Sequence, residues 1–292
     1  MGGGSPIDTA KGIAILVSNH GAIHDYMGCN LVSQPIPPLI CAPTTAGTGA
    51  DVSQFAVIGD TRADTRLKSK MTILSRAIMP DISLSDPLLL QTKSDELMAA
   101  TGMDTLTHAI EAFVSSLSWS LTDPHANHAI CLVAKHLELA VKTKQIKALE
   151  GMSIACIEAG MAFSNAILGA VHALAHPLGG LYDLHHGLVN SVMLPPVMRR
   201  NMEHAQPKFA KLSSALGIET RGMSDKDAAA HVPDKIEELT CALGLPQKLT
   251  QLGVKAADIP LLAEMAKNDI CMLTNPYHYS LEEIKSMYRE VL

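Results

Sequence analysis

Asp104 and His108 stand four residues apart in the run Thr101-Gly102-Met103-Asp104-Thr105-Leu106-Thr107-His108-Ala109-Ile110-Glu111. On a helix that spacing projects both side chains from one face. A carboxylate and an imidazole so placed suit two ligands of one metal ion; equally, the aspartate can simply orient a core histidine. A second cluster weighs on the choice. Of thirteen histidines, His172, His176, His185 and His186 fall within fifteen consecutive positions. His172 and His176 are again four apart, on an apolar segment with few other polar groups. Converging imidazoles are costly to bury unless they share a cation or a network. One aspartate with three histidines supplies one negative charge and three borderline nitrogen donors. That set suits Fe²⁺ or Zn²⁺ and leaves positions open for a substrate.

Two glycine turns add a second chemistry. Gly2-Gly3-Gly4-Ser5-Pro6-Ile7-Asp8-Thr9-Ala10-Lys11 has the make-up of a phosphate cradle, in which the backbone approaches an anion and a following helix points free N–H groups at it. Ser5 suits the N-cap of that helix and Pro6 its first turn. A flexible tail of glycines is the plainer alternative. Pro43-Thr44-Thr45-Ala46-Gly47-Thr48-Gly49-Ala50-Asp51 follows an apolar strand, and its three hydroxyls and two glycines suit a nucleotide's phosphate or amide. On its own such a turn is a common strand-to-helix connection; two of them within about fifty residues favour a nucleotide cofactor.

The elements that must position these residues change character near residue 90. Short β-rich runs come first: 39–42, 54–58, 71–74 and 82–84, punctuated by Pro, Gly and Asp, with a helix over Asp8–Val17 ahead of them. Long apolar-periodic segments follow at 94–117, 126–141, 148–174 and 184–202, with breaks expected at Gly179-Gly180 and Pro195-Pro196. The expected organisation is an α/β domain over residues 1–91 and a larger all-helical domain over 92–292. The first glycine turn opens the chain without the buried strand that normally leads into such a turn, so the α/β part is expected to be incomplete. His125, His128 and His136 read as exposed helix positions, and Ser280-x-x-Glu283 as a capping box for the last helix.

Composition narrows the class. With 47% hydrophobic and 18% charged residues, a substantial core is available. Only 3% are aromatic, the net charge is −6 and no basic run is present, which argues against nucleic-acid binding. The six cysteines form no CxxC pair and read as reduced cytosolic thiols. The most apolar stretch, 152–174, carries Glu158, Asn165 and His172, so a buried helix is expected there and no membrane span. The expected location is cytoplasmic.

Taken in order, these motifs resemble the iron-containing (group III) alcohol dehydrogenases. The family's GGGSxxDxAK turn appears as Gly2–Lys11, its PTTAGT turn as Pro43–Thr48 and its GxDxLTHAIE helix as Gly102–Glu111. HxxAHPLG appears as His172–Gly179, HG as His186-Gly187 and the closing NP as Asn275-Pro276. The match runs over essentially the whole chain. Asp51 stands where Glu is more usual and Tyr277 where Arg is common.

The resemblance implies a partial Rossmann-like α/β domain followed by an all-helical, dehydroquinate synthase-like domain, with NAD or NADP and the metal in the cleft between them. It implies Asp104, His108, His172 and His186 as ligands of Fe²⁺, with Zn²⁺ possible, and His176 as an unligated histidine that relays a proton or orients substrate. Gly4, Ser5, Asp8, Thr44, Thr45, Ser53 and Lys70 would contact the dinucleotide, and Phe163 would wall the substrate pocket. The implied reaction is hydride transfer between an alcohol and NAD(P), giving an aldehyde or ketone, with the metal as Lewis acid. A homo-oligomer is implied as well. Three other readings share these residues: a zinc polyol dehydrogenase of the glycerol type, a catalytically silent family member, and a metal-dependent hydrolase, against which the glycine turns argue.

Overall fold

The computed structural model describes residues 1–60 and 70–292. Helix α1 (Gly4–Ser18) opens the chain, and the strands β1 (Gly28–Cys29), β2 (Ile40–Cys41), β3 (Phe55–Gly59), β4 (Lys70–Leu74) and β5 (Ile82–Ser83) follow. β4 lies between β1 and β3, parallel to the first and antiparallel to the second, with Phe55 opposite Leu74. β2 pairs in parallel with β5, and Gly2 bridges to Pro43 beside them. Ile15, Ala56, Ile73 and Ile78 form the small core between α1 and this sheet.

That bridge decides where α1 begins. The Gly2 N–H donates to the Ala42 carbonyl at 3.1 Å, and its own carbonyl accepts from Thr44 N at 3.0 Å. The chain therefore leaves strand pairing and turns at once into the helix. Gly3 is the N-cap, with no side-chain cap, so Ser5 lies inside the first turn and is not the cap its type suggested. Lys11 is fully buried, and its Nζ donates to the carbonyls of Ser53 and Phe55 at 2.7 Å each, which ties α1 to the start of β3.

Ten helices are found among the described residues, the remaining nine being α2 (Asp95–Val114), α3 (Thr122–Thr143), α4 (Ile146–Ala166), α5 (Ala170–Tyr182), α6 (His186–Asn201), α7 (Gln206–Ala215), α8 (Asp225–Ala242), α9 (Ile259–Lys267) and α10 (Leu281–Glu290). Helices α2 to α10 share one large apolar core. α2 is its axis, buried at every position from Met98 to Val114 and wrapped by α3, α4 and α6. A helix buried all round has no solvent face, so its polar side chains must find partners inside. Ser94 caps it, accepting from Leu97 N at 3.2 Å, and the Ser280–Glu283 capping box of α10 is present.

The helix breaks differ from expectation. Gly179-Gly180 stays within α5, and Pro195-Pro196 stays within α6, where both prolines are buried. Packing of α5 against α6 and α9, and of α6 against α2, α5 and α8, outweighs the local cost of those residues. Instead, the stretch expected to be continuous over 148–174 turns by 101° between α4 and α5. Ile167 adopts φ +61° there, a left-handed conformation unfavourable for a β-branched residue. Carbonyls freed by the turn are taken up: Ser115 Oγ donates to Ala166 O and Thr274 Oγ1 to Leu168 O, each at 2.5 Å. Among the described residues no single helix is long and apolar enough to cross a membrane; α4 and α5 reach that measure only jointly, across the bend.

His136 departs from its expected exposure. It is buried where α3 crosses α4, its ring filling the space left by Gly151. His125 and His128, half-buried and exposed, both contact the carboxylate of Glu158 on α4.

Candidate metal centre

Three helices bring the predicted donors together. α2 carries Asp104 and His108, α5 carries His172, and α6 starts with His186. The Nε2 atoms of His108, His172 and His186 lie 3.9, 3.8 and 3.9 Å from Asp104 Oδ1. Donor atoms of Asp104, His108 and His172 form a buried triad, all within 4.8 Å of one another, and His186 joins through Asp104.

The outer nitrogens show how the inner ones are set. His108 Nδ1 lies 3.1 Å from the Gly47 carbonyl, which can only accept, so this nitrogen carries the proton. His172 Nδ1 likewise faces Glu111 Oε2 at 2.5 Å. Burial pushes the His108 pKa down to about 4, so its ring is neutral and Nε2 presents a bare lone pair to an aspartate oxygen. Two acceptors facing each other across a dry space repel unless a cation lies between them. Burial alone would raise the Asp104 pKa; His108, His172 and His186 overcome it and hold the carboxyl well below the usual carboxylate range. Burial also disfavours protonating His172, but Glu111 and Asp104 on either side push its pKa up to about 9. Burial drives the His186 pKa well below its ordinary value. A divalent ion held by these four donors would take the place of the proton on His172 and remove the clash at His108. The donor set fits such an ion.

His176 lies one turn beyond His172. Its ring stacks on His186, centroids 5.4 Å apart, and its Nδ1 bonds Asp269 Oδ2 at 2.7 Å. Asp269 in turn accepts from Cys271 N at 2.8 Å.

A cleft of about 510 Å³ joins this centre to the α/β lobe. Gly4, Ser5, Asp8, Thr45, Lys70 and Phe163 line it with the four donors and His176. Thr44 and Ser53 are not among its lining residues. Thr44 is held by its backbone bond to Gly2, and Ser53 is buried with its carbonyl on Lys11. Burial raises the Asp8 pKa to about 6, although Lys11 and the Val57 N–H pull it down. Phe163 stacks on His108 with ring centroids 4.5 Å apart, which fixes one wall beside the ligands.

Several participants escaped sequence reasoning. Glu111 and Asn190 sit three residues after His108 and four after His186, on ligand-bearing faces, and that spacing was the available signal. Asn190 Nδ2 donates to Asp104 Oδ1 at 2.8 Å. Thr48, one of the three hydroxyls of its turn, and His185, one of the histidine cluster, also line the cleft, although neither was given a contact of its own. Asp269 is 93 positions from its partner His176, and nothing local marks it.

An Asp–His₃ set thus stands across a cleft from a glycine turn at a helix N-terminus. The sequence matches the iron-containing alcohol dehydrogenase family over residues 1–87 and that family's C-terminal domain over residues 98–292. It is 43% identical over 291 residues to the 1,3-propanediol dehydrogenase of Citrobacter freundii, covering 99% of this chain and 74% of that one. The crystal structure of a 1,3-propanediol oxidoreductase superimposes with a TM-score of 0.96 at 42% identity, covering 100% of this chain and 75% of the other. A sulfoacetaldehyde reductase from Bifidobacterium kashiwanohense, in complex with NAD⁺, gives a TM-score of 0.85 at 29% identity and covers 100% and 74%. The chain belongs to the iron-containing alcohol dehydrogenase family. It is an oxidoreductase that interconverts alcohols and carbonyl compounds.

Proposed function

We propose that the chain oxidises and forms short-chain alcohols with Fe²⁺ held by Asp104, His108, His172 and His186 and with NAD(P) in the cleft. The convergence of three Nε2 atoms on Asp104 Oδ1 carries this reading. NAD is supported by the NAD⁺-bound relative and by the Gly4–Ser5 turn on the cleft. A small substrate is supported by the propanediol-acting relatives and by the apolar wall of Phe163, Leu168 and Leu97. A cytoplasmic location is supported by six cysteines that are all free.

The bound ion supplies a Lewis acid beside the substrate oxygen, and the dinucleotide supplies the hydride acceptor or donor. The protein does the rest. Free N–H groups at the start of α1 would hold the dinucleotide's phosphates, and Lys70 adds a positive charge to the same cleft. Phe163 walls the cleft beside the donors, where it would keep water from that side of a bound substrate. His176, its Nδ1–H fixed on Asp269, presents Nε2 as the acceptor of the hydroxyl proton during oxidation and returns it during reduction.

Elemental analysis of anaerobically purified protein, combined with an alcohol panel and both dinucleotides, tests the reading. About one iron per chain and alcohol-dependent formation of reduced nicotinamide are expected. Protein that binds no divalent ion, or turns over equally well without one, would sink it.

A further inference from the structure

The carboxylate of Glu111 is fully buried on α2, one turn past His108, and both of its oxygens are committed. Oε2 accepts from His172 Nδ1 at 2.5 Å. Oε1 accepts from Val171 N at 2.6 Å, one of the free N–H groups at the start of α5. A single side chain thus holds a ligand ring and the first turn of the helix that carries it, and both belong to a different helix from its own. Asn275 shares the task, its Oδ1 accepting from Ala170 N at 3.1 Å. Gly169 leaves room for this approach: a Cβ there would lie 2.8 Å from Glu111 Oε1 and 3.0 Å from Asn275 Oδ1.

We propose that Glu111 is the positioning residue of the metal centre, setting divalent-ion affinity by fixing the His172 tautomer and docking α5 against α2. The proposal rests on the metal reading of Asp104, His108, His172 and His186. With Nδ1–H pinned on Oε2, the ring is turned so that His172 Nε2 faces Asp104 Oδ1 before any ion arrives. The ion then pays no cost for turning the ring, and the carboxylate raises the donor strength of the imidazole. Outer carboxylates of this kind change metal affinity by about 10- to 100-fold when altered. Among these outer partners Glu111 bonds both a ligand ring and the start of its helix; Gly47 offers a carbonyl to His108, and Asn190 reaches Asp104 Oδ1 and, at 3.3 Å, His172 Nε2.

Two variants reach the carboxylate from different sides. Glu111→Gln keeps its size but leaves one oxygen for two donors. Gly169→Ala changes no hydrogen-bonding group and pushes on Oε1 through the new methyl. Zn²⁺ affinity is measured on full-length metal-free protein by competition with a chromophoric chelator, with melting of the metal-free forms recorded alongside. Both variants are expected to bind Zn²⁺ about 10- to 100-fold more weakly. Asn275→Ala, which loosens α5 without touching a ligand ring, is expected to lose less affinity than Glu111→Gln when the metal-free forms melt equally lower. Wild-type affinity in a folded Glu111→Gln protein would overturn the proposal, as would equal losses in Glu111→Gln and Asn275→Ala. Wild-type protein that binds no Zn²⁺ would instead overturn the metal reading itself.

Discussion

His108, a proposed ligand on α2, has its outer nitrogen 3.1 Å from the carbonyl of Gly47, in the turn that the sequence marks for a nucleotide. Thr105, one turn earlier on α2, donates to the neighbouring Ala46 carbonyl at 3.1 Å. The second glycine turn therefore spends its carbonyls on the metal-bearing helix while Thr45 and Thr48 reach the cleft. One backbone segment thus touches both the cleft and the helix that carries Asp104 and His108.

Gly47→Ala is the direct test of that junction. A Cβ there would lie 2.7 Å from Thr101 Cβ and 3.0 Å from its carbonyl oxygen, so backbone must move. A stability loss of about 1–3 kcal/mol is expected, together with weaker divalent-ion binding as the carbonyl leaves His108. Thermal melts and a Zn²⁺ titration check it; unchanged values in both would separate the turn from the ligand.

His186→Ala should cost metal and activity together. Its donor is the one ligand without an outer partner, Nδ1 being buried and unbonded, so nothing nearby replaces it. Metal content should fall below stoichiometry and turnover by at least about 10²–10³-fold, the scale of losing one preorganised electrostatic contact. Elemental analysis beside an alcohol assay decides it, and a metal-free variant with full activity would contradict it.

Asp8 gives a pH dependence. Its folded pKa of about 6 lies above the ordinary value of 3.8, with burial as the main cause. Between those two values the folded state holds a proton that the unfolded state has released. Stability therefore falls as pH rises through that window and is flat above it. Asp8→Asn keeps an acceptor for Val57 N but removes the charge. The variant should melt about 2–6 °C higher than wild type at pH 7.5, with the gap closing toward pH 4. A gap that is the same at both pH values would rule out Asp8 as its source.

Phe163→Leu should widen substrate choice. The lost ring stacks on His108 and walls the cleft. The ratio of kcat/KM for a longer alcohol over a short one is expected to rise about tenfold, the value of a methylene or two in an apolar pocket. An unchanged ratio across a homologous series of primary alcohols would place the substrate elsewhere.

How much of this was legible beforehand follows from the range of each interaction. Asp104 with His108, and His172 with His176, are helical neighbours, so spacing alone put each pair on one face. Gly4, Ser5, Asp8 and Thr45 were singled out through their turns, and the structure places them on the cleft. The partners that orient the ligands were not, because Glu111 meets His172 from another helix and Asp269 meets His176 across 93 positions. The helix breaks were misplaced for the converse reason. Pro195-Pro196 and Gly179-Gly180 are local breakers that tertiary packing overrides, whereas the true corner at Ile167 has no local signal beyond Gly169. His136 looked exposed because its cover, Gly151, lies on the next helix.

That corner has a bearing on the order of assembly. Ile167 sits in a conformation that an isolated chain avoids, and the bonds that hold the turn in place come from far along the sequence. Ser115 is 51 positions from its acceptor, Glu111 is 60 from its donor, and Asn275 and Thr274 are 105 and 106 from theirs. Contacts of such long loops form after the local helices do. His172 lies just past the corner, so it takes its place beside Asp104 only once the C-terminal segment has returned to the bundle. On the proposed metal site, a half-folded chain would lack the complete donor set, and capture of an ion would mark finished folding.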